Sequence, residues 1–193
     1  MTGISSLLRY RAWLACGLLC LLAACATPQR IAGGTTQAFE RVGRFALSAT
    51  GYGGPQQAVQ GGFAWNDDGR TLRLDLSNPL GSILARVQVR PGESLLTRAD
   101  GTQERADDPD GLVEQVLGSA IPVAGLRDWL RGRTGSQPVQ DLRKDEAGHI
   151  AAFVQNGWHV DLSNYDPQGP RLLRLTRDAA GRHISVRLVV DKG

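Results

Sequence analysis

Residues 72–89 read Leu72-Arg73-Leu74-Asp75-Leu76-Ser77-Asn78-Pro79-Leu80-Gly81-Ser82-Ile83-Leu84-Ala85-Arg86-Val87-Gln88-Val89, and the reading of this stretch decides the fold. Leu72, Leu74 and Leu76 occupy alternate positions, as do Ile83, Ala85, Val87 and Val89. Successive side chains of a strand point to opposite faces, so each run predicts a half-buried strand. Between them Asn78-Pro79-Leu80-Gly81 has asparagine first, proline second and glycine fourth, the residue types of a type I turn. The two strands therefore form an antiparallel hairpin with Leu80 at its tip and little nearby to bury it. A single exposed leucine is ordinary, and on this sequence alone the packing and functional readings of Leu80 stand level.

The same period of two extends outward in both directions. Before the hairpin, Phe45, Leu47 and Ala49 alternate with polar or small residues, and Phe63 and Trp65 share one face. After it come a short piece at Leu95 and Leu96 and then, further on, Val139–Arg143, Ile150–Val154, Trp158–Leu162, Leu172–Thr176 and Ile184–Val190. Turn chemistry separates these runs at Asn66-Asp67-Asp68-Gly69, Pro91-Gly92, Asp100-Gly101, Glu146-Ala147-Gly148, Asn156-Gly157 and Ala179-Ala180-Gly181. Two helices interrupt the strands. Asp108 caps the first, with Pro109 at its first position, Leu112, Val113, Val116 and Leu117 on one face and Gly118 as its stop. The second runs from Val123 to Arg131, with Leu126, Trp129 and Leu130 inward and Gly132 after it. A short helix is also expected around Thr36–Arg41.

The fold class is thus mainly β with some α: an antiparallel sheet of about eleven strands whose apolar face is covered by only two or three helices. If such a sheet curves into an incomplete barrel, so few helices leave an apolar cavity that side chains do not fill.

The start of the chain reads as an address. Arg9 and Arg11 precede an apolar run from Ala12 to Ala24, which is interrupted and then followed by Pro28 and a glycine-containing stretch. A spanning helix needs about 20 apolar residues, so this is a secretory signal rather than a membrane span. Residues 1–24 are read as the cleaved signal, 25–35 as a flexible tether and 36–193 as one domain. Removal of 24 residues from 193 leaves 169, enough for a single core. The signal carries two arginines, so the net charge falls from +3 to +1, and the basic precursor is no argument for nucleic acid. Cys16 and Cys20 leave with the signal, so the mature chain cannot build a disulfide or a thiolate metal site.

Catalytic motifs do not emerge. His149, His159 and His183 lack metal-ligand spacing, and no Gly-x-Ser-x-Gly elbow occurs. Gly51-Tyr52-Gly53-Gly54-Pro55-Gln56 lacks the last glycine of a dinucleotide loop and reads as a turn. Asp107, Asp108 and Asp110 stand at a helix start, where capping accounts for them. Neither enzymatic activity nor a cofactor is expected.

Leu22-Ala23-Ala24-Cys25 resembles the lipobox of bacterial lipoprotein precursors, which implies that Cys25 is acylated by diacylglycerol and becomes the N-terminus. Ala26 is not the aspartate that resembles an inner-membrane retention signal, so the outer membrane is the expected destination. With this lipobox, Phe63-Ala64-Trp65, Leu76 to Gly81, Ile121-Pro122 to Leu126 with Trp129, and Asn156-Gly157-Trp158 together resemble the LolB family of outer-membrane lipoprotein receptors, from about Gly43 to the C-terminus. Arg131-Gly132-Arg133 is more basic than the family pattern suggests.

The resemblance implies a lidded half-barrel that takes acylated lipoprotein cargo from the periplasmic carrier LolA, shelters its acyl chains and inserts it into outer-membrane phospholipid. It implies a monomer anchored by lipid and facing the periplasm. The loop Asn78, Pro79, Leu80 and Gly81 is the implied membrane-insertion element, and Trp65, Leu74, Leu76, Trp129 and Trp158 are the candidate cavity residues. The physical need is plain: a chain of ~15 methylenes costs on the order of 12 kcal/mol to leave in water. No phosphate-binding loop is present to supply energy, so transfer must run on differential affinity. Two other readings are a lipid-anchored binder of another apolar ligand with no carrier, and a hydrolase with a dispersed site.

Overall fold

The computed structural model describes residues 38–51, 57–119, 121–179 and 181–192. The expected signal, Cys25 with the tether to residue 35, and residues 52–56 of the Gly51–Gln56 turn lie outside them, as does Ala180. In chain order the elements are β1 (Phe39–Gly51), β2 (Gln57–Asp67), β3 (Leu72–Ser77), β4 (Ile83–Arg90), β5 (Glu93–Arg98), β6 (Gln103–Ala106), α1 (Pro109–Leu117), α2 (Val123–Trp129), β7 (Gln140–Lys144), β8 (Ile150–Gln155), β9 (Trp158–Asp166), β10 (Gly169–Ala179) and β11 (Arg182–Val190).

All eleven strands join one antiparallel sheet in the order β6-β5-β4-β3-β2-β1-β11-β10-β9-β8-β7. It is not closed into a barrel, because β6 and β7 are its two edges. Two meanders, β2 to β6 and β7 to β10, flank a central seam in which β1 pairs with β11 from Gly43↔Val190 to Gly51↔Arg182. A flat sheet of this size would be roughly 50 Å wide at ~4.8 Å per strand, far more than two helices of ~10–12 Å diameter can cover. Yet Leu72 and Val87 on one flank and Phe153 and Val160 on the other belong to one buried cluster with both helices. Burying both flanks beneath so little helix requires the sheet to bend around it.

The helices form as their sequence directs. Asp108 accepts from the N–H of Asp110 at 3.0 Å, and Gly118 ends α1 at φ +72 with its N–H donating to the Glu114 carbonyl at 2.8 Å. Leu112, Val113 and Leu117 are buried, and α1 packs on β4, β5 and β6. No side chain at Pro122 caps α2. Asp110 of α1 does so instead, accepting from the Ala124 N–H at 3.0 Å and joining the helices into one lid. Burial raises the Asp110 carboxyl above its ordinary value, against the pull of that N–H.

Two expectations are corrected. The helix around Thr36–Arg41 is absent over its described part, since Phe39, Glu40 and Arg41 begin β1 and pair with Asp67, Asn66 and Trp65. Ala38, Phe39 and Val42 suit either period, and pairing with β2 decides between them. Helix α2 stops at Trp129, two residues short of Arg131, and passes through a turn closed by the Gly132 N–H on the Trp129 carbonyl at 2.9 Å. Strand β6, Gln-Glu-Arg-Ala, escapes a pattern search because it has no alternating apolar residues.

Candidate functional site

The inward face of the sheet supplies a wall and the lid a roof. Phe45 and Leu188 from the seam, Phe63 and Trp65 from β2, and Leu74 and Leu76 from β3 face Ile121, Leu126 and Leu130 around an apolar cavity of about 20 Å³. That is room for about one water molecule. The lid lies nearly closed on the sheet.

Three of the expected wall residues, Trp65, Leu74 and Leu76, line this cavity. Trp129 and Trp158 are buried but are not among its lining residues. Trp129 is drawn aside because its indole N–H needs an acceptor: it donates to Gln155 Oε1 at 2.9 Å and meets Phe153 edge-on at 5.8 Å between ring centroids. Gln155 is held in turn by donating to the Gln137 carbonyl at 2.7 Å. Trp158 lies under the guanidinium of Arg177, 5.8 Å from its ring.

The lid is tied to the sheet by charge, which sequence reading missed. Asp67, at the end of β2, has a side chain only 1% exposed. It accepts from Arg127 Nε and NH2 at 2.9 and 2.7 Å, and Arg131 NH1 lies 2.9 Å from its Oδ2. Arg131 also covers the ring of Phe39, 4.0 Å from its centroid. Burial pushes the Asp67 carboxyl up, but hydrogen bonds from Arg127, the Gly69 N–H and Arg131 outweigh it and hold it below its ordinary value. The signal was present in the spacing of Arg127 and Arg131, four residues apart and so on one side of the chain's helical path. The basic Arg131-Gly132-Arg133 is explained likewise, with Arg133 pairing to Asp128 at 2.9 Å.

Outside the lid, the loop between β3 and β4 is built to hold one side chain in solvent. Asn78 organises it: its Oδ1 accepts from the N–H groups of Leu80 and Ser82 at 2.9 and 3.0 Å, and its carbonyl accepts from Gly81 at 2.9 Å. The Asn78 N–H donates to the Ser82 carbonyl at 2.9 Å, and Gly81 takes φ +87. Leu80 is 92% exposed at the tip, and Ile83 beside it is also exposed. Pro79 stands between Asn78 and Leu80 with its φ fixed by its ring.

The histidines are dispersed. His149 lies against Asp145 and stacks on Tyr165, His183 meets Asp178 at 2.8 Å, and His159 is on the outer face of β9. Among the described residues no three His, Cys, Asp or Glu side chains gather as a metal site.

Comparison with known proteins identifies the family. The family described as "Outer membrane lipoprotein LolB" matches residues 37–192. The outer-membrane lipoprotein LolB of Bordetella petrii is 55% identical over 186 residues, covering 95% of this chain and 94% of that protein. The LolB of Cupriavidus necator is 40% identical, covering 89% and 90% respectively. Among solved structures, a LolA superfamily protein from Nitrosomonas europaea matches with a TM-score of 0.44 at 7% identity, over 82% of this chain and 88% of that one. With the family matched along the whole described body, the chain belongs to the LolB family of outer-membrane lipoproteins.

Proposed function

We propose that this protein is the outer-membrane receptor that accepts lipoproteins from the carrier LolA, shelters their acyl chains between sheet and lid, and inserts them into the membrane. The observation that carries this reading is Leu80, an apolar side chain 92% exposed on a loop held rigid by its own hydrogen bonds. Holding a leucine in water serves no packing purpose, while burying one in hydrocarbon gains about 1.5–3 kcal/mol. The loop suits a side chain that enters the acyl region of a bilayer while the folded body stays outside. Acylation of Cys25 would keep the body at that surface, facing the periplasm, as a monomer.

The cavity supports the other half of the reading. Its lining is aliphatic and aromatic, so it can hold hydrocarbon without directional bonds and without regard to the protein part of the cargo. At about 20 Å³ it is the closed form. Acyl chains enter as the lid lifts, replacing contacts between Leu126, Leu130 and the sheet with contacts to themselves. Because hydrocarbon is exchanged for hydrocarbon, opening costs chiefly the polar ties at the lid's margins. Transfer then proceeds without a nucleotide, from a site that binds the chains less well to one that binds them better.

The test is transfer of a labelled, acylated lipoprotein from purified LolA to a soluble Cys25→Ala form, and onward to phospholipid vesicles. Transfer in both steps is expected. Uptake of free acyl ligands with no transfer from the carrier would sink the receptor reading and leave a lipid-anchored binder. Cleavage of an acyl ester would point instead to a hydrolase.

A further inference from the structure

Among the described residues, two of the buried side-chain N–H groups that have no acceptor belong to cross-strand partners. Trp65 on β2 is 2% exposed and its Nε1–H is unpartnered; Arg41 on β1, opposite it in the register, is 5% exposed and its Nε–H is unpartnered as well. Directly opposed residues have Cβ atoms about 4.5–5.5 Å apart on one face of the sheet, so these side chains leave their strands together.

The fold does not treat its tryptophans alike. Trp129 is given Gln155 as an acceptor at 2.9 Å, whereas Trp65, which lines the apolar cavity, is given none. Arg41 lines a different hollow, of about 530 Å³. Its charge is already matched, since NH1 donates to Asp166 at 2.7 Å and NH2 to the Pro170 carbonyl at 3.3 Å. What the pair lacks is therefore not an anion but an uncharged oxygen, and one that arrives attached to hydrocarbon. A buried donor left without an acceptor is costly, and a site built around one rejects ligands that cannot satisfy it.

We propose that the Nε1–H of Trp65 receives the carbonyl oxygen of an ester-linked acyl chain, making Trp65 the residue that distinguishes ester-linked from ether-linked chains. This rests on the acyl-chain reading above and adds a polar specificity to it.

The experiment loads a soluble Cys25→Ala form with a fluorescent sixteen-carbon fatty acid and displaces it with 1,2-dioctanoylglycerol or with the dioctyl ether of the same chain length. One neutral hydrogen bond corresponds to roughly fivefold in affinity, so the ester is expected to displace the probe at about one fifth the concentration of the ether. Trp65→Phe should bind the probe and lose that difference. Replacing Trp65 by β-(3-benzothienyl)alanine, which keeps the shape and lacks the N–H, should lose it too, and this decides the matter if Trp65→Phe folds poorly. Equal displacement by ester and ether in the unsubstituted protein, or an ester preference that survives both replacements, overturns the assignment alone. A protein that takes up no probe overturns the acyl-chain reading and the assignment with it.

Discussion

Asp67 and Arg127 meet in a two-bonded ion pair, Arg127 Nε to Asp67 Oδ2 at 2.9 Å and NH2 to Oδ1 at 2.7 Å, that joins the second lid helix to the end of β2. The Asp67 side chain is 1% and the Arg127 side chain 33% exposed, and Arg131, 19% exposed, meets the same carboxylate at 2.9 Å. On the proposed reading, apolar contacts beneath the lid are exchanged for contacts to cargo while this pair is not, so the ease of opening would be set at the margin rather than in the cavity.

Asp67→Asn keeps the size of the side chain and removes its charge. Loss of one partner from a buried pair costs about 3–5 kcal/mol, and the partial exposure of Arg127 reduces this to about 2 kcal/mol. Urea denaturation should show that loss, and a fluorescent fatty acid should enter faster than in the unsubstituted protein. Slower or unchanged uptake would remove the pair from the control of opening.

Leu80→Glu should change stability by less than about 0.5 kcal/mol, because nothing packs on the tip of the loop. Acceptance of cargo from the carrier should persist. Affinity for phospholipid vesicles should fall about 10- to 100-fold, the equivalent of one buried leucine. Sedimentation with vesicles measures it, and normal insertion by this variant would take Leu80 out of the mechanism.

Gly61→Ala tests the base of the same loop. A Cβ at Gly61 would collide with the carbonyl oxygen of Ser77, the residue before Asn78, and would crowd the ring of Phe45 at 3.1 Å. Overpacking of this kind costs about 1–3 kcal/mol. Thermal denaturation should register it, together with weaker vesicle binding as Asn78 is displaced.

Stability should have an acid limb set by Asp67 and Asp166 and an alkaline limb set by Tyr165. Asp67 and Asp166 are each pushed up by burial and pulled further down by arginine, Asp67 chiefly by Arg127 and Asp166 chiefly by Arg41. Their carboxyls sit lower in the fold than in the unfolded chain, so their stabilisation is complete above the ordinary carboxylate range and is lost as pH falls through the folded values. Tyr165 is displaced the other way, raised to about 12 by burial and then by the charge of Asp145. Its contribution is complete below about pH 10 and disappears as pH climbs toward the folded value. Melting temperatures across pH should trace both limbs, and Tyr165→Phe should flatten the alkaline one.

Most strands were legible because one side of each faces the core, so Leu72, Leu74 and Leu76 announce their own period. The loop was legible because each turn position demands a residue type. Strand β6 was not, since an edge strand without alternation carries no signal. Phe39 to Arg41 misled because the strand buries an arginine there, and a buried charge reads as a surface one until its partner, Asp166, is known. Asp67 was read as part of the turn Asn66-Asp67-Asp68-Gly69; it does serve the turn, accepting from the Gly69 N–H at 2.9 Å, but its main partners lie sixty residues away. Partner identity at such separations is a property of the folded chain, and single residues do not encode it.

The pairing of β1 with β11 sets an order of assembly. Either meander can zip from its own hairpins, but the join between them brings Gly43 against Val190, so the slowest loop to close is also the one that completes the concave surface. Until β11 has docked on β1 the two halves share no continuous wall, and no greasy basin exists to capture stray lipid.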